Sequence, residues 1–260
     1  MGRVTSNDGT PIGYTKTGNG PPLLLVHGMT ADASRWEAVL PALAEHYTVY
    51  AMDRRGRGSS GDGPAYAMER EHEDVAALLS EIGAPTRVFA HSYGGVCALG
   101  ALLLATNVER FVMYEPYVPV VPATAPSPIT LRYEAMALAD DHDALVATFL
   151  REIVQVSERD VAMMRADPAW KGRVATAHTI GREMRAAEHF RFEPARFRDV
   201  KIPIGMLLGG ESPAFLKDAT ERLHAALPTS TIVILKGQQH VAMNTAPALF
   251  VRELRALLDA

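Results

Sequence analysis

At residues 87–99 the chain reads Arg-Val-Phe-Ala-His-Ser-Tyr-Gly-Gly-Val-Cys-Ala-Leu. A short β-rich apolar run is followed by small residues and then by an apolar helical run, which predicts a strand, a tight turn and a helix. Ser92 lies in the turn, with Ala90 and Gly94 two positions away on either side. This spacing matches the nucleophile elbow G-x-S-x-G, in which small neighbours allow a serine to occupy a strained turn. Ser92 is therefore a candidate nucleophile, with Ala90 in place of the first glycine.

Further short apolar runs occur along the chain. They lie at residues 23–26, 48–52, 111–114, 204–208 and 231–235. Each is continuously apolar, as expected of strands that helices cover on both faces of a parallel sheet. Residues 2–17 predict two preceding strands joined at an Asn-Asp-Gly turn. The alternation predicts an α/β fold with a mostly parallel, eight-stranded sheet flanked by helices.

Local signals also predict where two helices begin or end. Residues 34–37, Ser-Arg-Trp-Glu, match a capping box and predict that a helix begins there. Apolar residues at helical spacing between Val75 and Ile82 predict a second helix, which ends at Gly83.

The alternation of strands and helices stops after Tyr114. A proline-rich stretch follows, which cannot continue a helix or a central strand, and residues from about 129 to 190 carry only helical patterns. We expect a core domain formed by residues 1–116 and 196–260. Residues 117–195 are expected to form a helical cap, or lid, over the sheet.

The composition excludes several classes of protein. The 260 residues are 48% hydrophobic, which is typical of a globular chain, and the net charge of −4 leaves no basic field for nucleic acid. The nine histidines show no metal-ligand spacing. Cys97 cannot form an intramolecular disulfide, and the N-terminus lacks the apolar segment of a signal peptide. We expect a cytoplasmic monomer or homodimer with no cofactor, no metal, and no nucleic-acid or membrane partner.

One glycine-rich motif is expected to be a false match. Residues 56–61 fit G-x-G-x-x-G, the dinucleotide-binding fingerprint. That motif must open a helix directly after its strand, whereas Asp-Gly-Pro follows here and prevents a helix from beginning. A nucleotide site is therefore not expected.

Three further motifs accompany the elbow, in a fixed order. His-Gly-Met at residues 27–29 follows the first core strand, and Asp-Arg-Arg-Gly-Arg-Gly-Ser-Ser at residues 53–60 follows the next. Gly-Gln-Gln-His at residues 237–240 follows the last predicted strand. With these four motifs in register, the chain resembles the α/β-hydrolase superfamily over nearly its whole length.

The resemblance implies catalytic roles for four residues. Ser92 would be the nucleophile, and His240 would take its proton and later return it to the leaving group. The backbone N–H groups of Met29 and Tyr93 would form the oxyanion hole.

Three neighbouring residues are expected to be structural. His27 belongs to the oxyanion loop and would hold its backbone by hydrogen bonds. His91 is adjacent to the nucleophile but would point away from it at the turn. Cys97 follows the elbow within its helix and is expected to be a small core residue.

The acid of the triad has two candidates. The superfamily usually carries it in a G-x-x-D pattern after the penultimate strand, but here Ser212 holds that position and Glu211 precedes it. Glu115 ends the strand after the elbow strand, where some haloalkane dehalogenases of the superfamily carry their acid. Because Glu115 is in register with this alternative position, we favour it over Glu211.

A serine at position 92 favours acyl transfer through an acyl-enzyme, with an ester, lactone or thioester as the small-molecule substrate. Apolar residues of the expected cap either line a hydrophobic pocket or pack the cap itself; they are Met136, Leu138, Leu145, Phe149, Ile153, Met163, Met164, Ile180 and Met184. The same fold also serves lyases, cyclases and C–C bond hydrolases, and a non-catalytic binding protein is a further alternative.

Overall fold

A single eight-stranded sheet forms the centre of the molecule in the computed structural model, which describes residues 1–63, 65–118 and 125–260. The strands are β1 (Gly2–Thr5), β2 (Pro11–Thr17), β3 (Pro22–Val26), β4 (Thr48–Met52), β5 (Thr86–His91), β6 (Val108–Tyr114), β7 (Ile204–Gly209) and β8 (Ser230–Leu235). They lie in the order β1-β2-β4-β3-β5-β6-β7-β8. The β1–β2 and β2–β4 pairings are antiparallel and the others are parallel. The predicted α/β fold class is confirmed.

Helices cover both faces of this sheet and also follow β6. They are α1 (Leu40–Ala44), α2 (Met68–Ile82), α3 (Tyr93–Ala101), α4 (Pro128–Leu138), α5 (His142–Glu152), α6 (Glu158–Ala166), α7 (Trp170–Ala175), α8 (Ile180–His189), α9 (Ala214–Ala226), α10 (Ala242–Thr245) and α11 (Pro247–Asp259). Helices α2, α3 and α9 contribute to the apolar cluster on one face, and α1 and α11 to that on the other. In the described part of the chain, no helix is both long enough and apolar enough to cross a membrane.

Strand β3 shows why the central strands are continuously apolar. Leu24 and Val26 pack into one cluster, whereas Leu23 and Leu25 pack into the other. Successive side chains of a strand point to opposite faces, so burial of both faces requires an apolar residue at every position.

Two local predictions were wrong. Strand β8 is not covered on both faces, and Ile234 is 58% exposed, because β8 lies at the edge of the sheet. The capping box at residues 34–37 does not form. Asp32 instead caps a 3₁₀ helix, Ala33–Trp36, by accepting a hydrogen bond from the Ser34 N–H, and α1 begins only at Leu40. The helix predicted to end at Gly83 is confirmed, and Gly83 adopts the left-handed conformation of a C-cap.

Helices α4 to α8 lie between β6 and β7 in the chain and form an apolar cluster of their own. Tyr133, Phe149 and Ile180 are among its buried members. Met29 of the core packs against the same cluster. The helical segment therefore rests on the loop that follows β3.

Candidate active site

Ser92 sits in a strained turn between β5 and α3. Its φ of 55° and ψ of −126° lie outside the regions that L-residues commonly adopt. A Cβ added at Gly94 would lie 2.4 Å from the His27 carbonyl oxygen, and one added at Gly28 would lie 2.9 Å from Cβ of Ser92. The small residues around the elbow are thus required by close approach of the two loops.

The carbonyl group of Gly28 is held by two hydrogen bonds. Its oxygen lies 2.8 Å from Nδ1 of His27 and 3.2 Å from Nη1 of Arg54. In a trans peptide the N–H points opposite to the carbonyl, so these bonds direct the Met29 N–H away from Arg54. The N–H of Tyr93, in the first turn of α3, belongs to the N–H groups that have no acceptor within their own helix. Met29, Tyr93 and Ser92 line one cavity.

His27 is neutral and buried, and its ring joins the loops that follow β3 and β4 by hydrogen bonds. Its Nε2 accepts a hydrogen bond from the Arg54 N–H at 3.1 Å, so Nδ1 carries the proton that is donated to Gly28 O. Burial, together with the charges of Arg54 and Arg57, holds the pKa of His27 well below its ordinary value. The hydrogen bonds expected of His27 are therefore present.

Glu115 and His240 are in direct contact. Oε2 of Glu115 lies 2.6 Å from Nδ1 of His240, and Oε1 accepts a hydrogen bond from the Gly209 N–H at 2.7 Å. Glu115 is fully buried and follows β6 with a φ of 45°. Both carboxylate oxygens therefore accept from N–H groups, and in the neutral imidazole this contact selects the tautomer in which Nε2 is the acceptor.

Glu211 is placed differently. It is exposed, and its backbone N–H donates to the Gln238 carbonyl at 2.9 Å. In the described part of the chain, the His240 ring is hydrogen-bonded to Glu115 and not to Glu211. Ser212, at the position where the superfamily usually has its acid, is buried and its hydroxyl has no partner among these residues. The structure brings Glu115 and His240 together and keeps Glu211 apart.

Two aromatic side chains hold the backbone of the loop that carries His240. Nε2 of His91 donates to the His240 carbonyl at 2.8 Å, and the Tyr114 hydroxyl donates to the Gln239 carbonyl. Burial and the neighbouring His240 hold the pKa of His91 well below its ordinary value, so His91 is neutral. Sequence reasoning missed Tyr114, although its position before Glu115 at a strand end was a signal.

A buried ion cluster lies behind the oxyanion loop, and we refer to Arg54, Arg57, Glu71 and Glu183 as the Arg54 cluster. Arg54 contacts Glu71 at 2.6 Å and Glu183 at 2.7 Å, and Arg57 also pairs with Glu183. The guanidinium of Arg54 lies 4.7 Å from the ring centre of Tyr93. Glu183 belongs to α8, so the cluster links the helical segment to both loops of the oxyanion hole.

The cavity beside Ser92 has a volume of about 360 Å³ and mostly apolar walls. Its apolar and aromatic lining includes Met29, Tyr117, Phe149, Ile153, Met184 and Phe215. Its polar lining includes Ser92, His240, Glu152, Gln155 and Glu188.

The apolar residues singled out in the helical segment have different environments. Phe149, Ile153 and Met184 line the cavity. The remaining six divide between packing and exposure: Leu145 and Ile180 are buried in the segment's own cluster, Met136 and Met164 pack against it, and Leu138 and Met163 are exposed.

The glycine-rich motif at residues 56–61 and the cysteine at position 97 both lie in structural surroundings that the structure defines. Residues 56–61 form a turn closed by a hydrogen bond from Gly56 N–H to Gly61 O, and the next helix begins only at Met68. Cys97 is fully buried in the apolar cluster beneath the elbow. Among the described residues, no group of three or more His, Cys, Asp and Glu side chains is arranged to hold a metal ion.

Comparison with known proteins identifies the family of the chain. The sequence profile of the alpha/beta hydrolase family matches residues 23–253. An alpha/beta hydrolase from Sphaerobacter thermophilus is 33% identical, with a TM-score of 0.86 over 98% of this chain and 99% of that one. An esterase from a Rhodococcus species is 24% identical, with a TM-score of 0.78 over 100% of this chain and 98% of that one. The 2-(acetamidomethylene)succinate hydrolase of Mesorhizobium japonicum is 24% identical over 100% of this chain and 94% of its own length.

Proposed function

The chain belongs to the alpha/beta hydrolase family, and from this premise we propose that it is a serine hydrolase that cleaves an ester-type bond of a small, mainly apolar substrate. The observation that carries the proposal is the 2.6 Å contact between Nδ1 of His240 and the buried carboxylate of Glu115. Ser92 and His240 line the same cavity, so base and nucleophile face one substrate. The proposed triad is Ser92, His240 and Glu115.

The proposed reaction proceeds in two halves. Nε2 of His240 accepts the Ser92 hydroxyl proton while Oγ attacks the ester carbonyl, and the N–H groups of Met29 and Tyr93 stabilise the oxyanion. His240 then donates the proton to the leaving alcohol, and Ser92 remains acylated. Water repeats these steps, releasing the carboxylic acid and restoring Ser92. The side chain of Glu115 orients His240 and stabilises the imidazolium that forms twice in the cycle.

We further propose that residues 1–116 and 196–260 form the catalytic core and that residues 117–195 act as its lid. Phe149, Ile153 and Met184 supply apolar lining from the helical segment, which supports this division. A lid of this composition reduces the amount of bulk water around the bound substrate and strengthens the electrostatic contacts of the oxyanion hole, while the water that hydrolyses the acyl-enzyme still enters.

The substrate of the Mesorhizobium relative is not carried over to this chain. That protein is named for a succinate derivative, which is a dicarboxylate. Here the described lining of the cavity contains two carboxylates and neither Lys nor Arg. These carboxylates would repel a dicarboxylate substrate, so the proposal is limited to substrates without negative charge.

Labelling with a fluorophosphonate probe tests the proposal. At neutral pH the wild-type protein should be labelled on Ser92, because only an activated serine reacts, and Ser92→Ala should remain unlabelled. Wild-type protein that stays unlabelled would refute the hydrolase proposal. A panel of p-nitrophenyl esters of increasing acyl length then tests the substrate class. Labelling without turnover of any ester would favour the lyase, cyclase or C–C hydrolase alternative.

A further inference from the structure

One carboxylate of the cavity beside Ser92 forms no ion pair within the described part of the chain. Glu188, on α8, lines the cavity together with Ser92 and His240. Its Oε1 accepts a hydrogen bond from the Thr130 hydroxyl at 2.7 Å and another from the Ser127 hydroxyl, and Oε2 accepts one from the Ser127 N–H at 3.1 Å. All three donors are neutral, so they fix the position of the carboxylate without cancelling its charge.

Glu188 is ionised at neutral pH. Burial raises its pKa, but the hydrogen bonds from Ser127 and Thr130, with a smaller contribution from the charge of the adjacent His189, outweigh burial and hold the pKa below the ordinary value. Among the described residues, no Lys, Arg or His nitrogen lies within 4 Å of its carboxylate, and the adjacent Arg185 is paired with Glu134. Residues 119–124, outside the described ranges, are Pro, Val, Val, Pro, Ala and Thr, and none of these side chains is charged.

The second carboxylate of the cavity differs from Glu188. Glu152 forms an ion pair with Arg132 and also accepts a hydrogen bond from the Tyr133 hydroxyl at 3.2 Å. Its charge is therefore largely compensated. Of the two, Glu188 is the carboxylate that would gain from a cation in the cavity.

Aromatic walls add to this preference. Tyr117 and Phe215 line the cavity with their ring centres 6.5 Å apart and their planes at 72°, and Phe149 also lines it. Aromatic faces attract ammonium groups, most strongly where water is excluded. A cavity with aromatic walls and one uncompensated carboxylate matches an organic cation better than a neutral or anionic group.

We propose that this cavity selects its substrate by charge, that it takes esters whose non-reacting end carries a quaternary or protonated amine, and that Glu188 is the counter-charge. This inference rests on the proposed serine hydrolase function. It assigns Glu188 a role in substrate specificity in addition to its contacts with the N-terminus of α4.

The test compares esters of the same shape that differ in charge. One pair varies the acyl part, with p-nitrophenyl 4-(trimethylammonio)butanoate against p-nitrophenyl 5,5-dimethylhexanoate. The other pair varies the alcohol part, with acetylthiocholine against 3,3-dimethylbutyl thioacetate. Wild-type kcat/KM should favour the cation by about tenfold in at least one pair, mainly through KM, which lies within the range for one contact between a cation and an aromatic face. Equal kcat/KM for the cationic and the neutral ester in both pairs would overturn the inference while leaving the hydrolase function intact.

Glu188→Gln separates specificity from structure. Gln keeps an acceptor for Ser127 and Thr130 but removes the charge, so the ratio of kcat/KM for the cationic ester to that for the neutral ester should fall to about 1, whatever common change both esters show. A matched control is Glu158→Gln on α6, where Glu158 is exposed and pairs with Arg151, because it removes the same charge outside the cavity and should keep the preference. Equal slowing of both esters by Glu188→Gln would show a purely structural role and refute the proposal.

A binding readout covers the case of slow turnover. The 3,3-dimethylbutyl-trimethylammonium ion should protect Ser92 from fluorophosphonate labelling in the wild type, at roughly tenfold lower concentration than in Glu188→Gln. Protection that is equal in the two proteins would contradict the proposal. Absence of labelling altogether would instead refute the hydrolase function, so the two failures are distinguishable.

Discussion

At the scale of single residues, the position of Glu115 explains how the proposed triad would have its acid at a strand end other than the usual one. Strands β6 and β7 are parallel neighbours, so their carboxyl ends meet at one edge of the sheet, beside the loop that carries His240. An acid at the end of either strand can reach the same imidazole. The left-handed backbone of Glu115, with φ of 45°, turns its buried side chain toward the Gly209 N–H and His240.

Replacing Glu115 by Gln should lower kcat by about 10³–10⁴-fold with the fold retained. The carboxylate accepts one N–H on each oxygen, whereas Gln has a single acceptor oxygen, so its NH₂ group must face either Gly209 or His240. Facing His240, it would favour the tautomer with the proton on Nε2, which cannot accept the Ser92 proton. The measurement is kcat on the best p-nitrophenyl ester, with circular dichroism as a check on folding.

The matched control is Glu211→Gln, which removes a carboxylate from the neighbouring strand end. Glu211 is exposed, so the kcat of the Glu211→Gln variant should stay within a factor of about two of wild type. Comparable losses in the two variants would contradict the assignment of Glu115 as the acid.

The sequence indicated Ser92, His240 and, with Glu211 as the alternative, Glu115 as candidates because each follows a strand, and strand ends of a parallel sheet converge. Glu188 and the contact of Glu183 with Arg54 could not be predicted in this way. Glu183 and Arg54 are 129 positions apart, and their contact depends on how α8 packs against the core. No local pattern encodes that packing.

At the scale of elements, the approach of α4 and α8 depends on one glycine. A Cβ at Gly181 of α8 would lie 2.9 Å from Cα and 3.0 Å from N of Glu134 on α4. Both contacts are with backbone atoms, which cannot rotate away. Gly181→Ala should therefore destabilise the protein by about 1–2 kcal/mol, since overpacking outweighs the gain of about 1 kcal/mol in helix propensity.

Unfolding by urea measures this change, and steady-state kinetics should show a raised KM as well, because α8 carries Met184 and Glu188 of the cavity lining. Gly172→Ala on α7 is the control. A Cβ there meets only Asp32, at an ordinary distance of 3.7 Å. This variant should be neutral or slightly stabilised. Equal stability of the two variants would show that α4 and α8 can separate freely.

The ends of helices could be predicted only where a single nearby residue determines them. The end of α2 at Gly83 was predicted correctly, because a glycine in the left-handed conformation is a local cause. The start of α1 was predicted wrongly, because the Ser34 N–H donates to Asp32 and a 3₁₀ turn precedes the helix. Two capping residues of similar propensity stood close together, and sequence alone gave no means of ranking them.

At the scale of the whole molecule, the Arg54 cluster holds the helical segment and the sheet domain together through fully buried charges. Arg54 and Glu71 belong to the core, and Glu183 comes from α8. Burial alone would raise the pKa of Glu71, but the charge of Arg54 and their hydrogen bonds outweigh it and lower the pKa well below its ordinary value of 4.5. Folding stability should consequently depend on pH in the acid range.

The direction of this dependence follows from the lowered pKa. Below pH 4.5 the unfolded chain binds a proton at Glu71 before the folded protein does. The stability that Glu71 contributes is therefore full above pH 4.5 and is lost as the pH falls toward 2. Glu71→Gln should cost about 3–5 kcal/mol at pH 7, because Arg54 then shares only Glu183 with Arg57. The difference between wild type and Glu71→Gln in free energy of unfolding should shrink as the pH falls from 4.5 toward 2.

Urea unfolding at several pH values between 7 and 2 provides the measurement. Glu73→Gln on the same helix is the matched control, since Glu73 is partly exposed and pairs with Arg70 within one turn. Surface pairs of this kind contribute about 0–1 kcal/mol, so this variant should follow wild type across the whole range. A difference between wild type and Glu71→Gln that stays constant down to pH 2 would mean that the charge of Glu71 does not stabilise the fold. The junction between the sheet and the helical segment would then depend on packing and on other polar contacts, such as the ion pair between Arg182 and Asp62. The cluster would serve only to orient the Gly28 carbonyl and the ring of Tyr93.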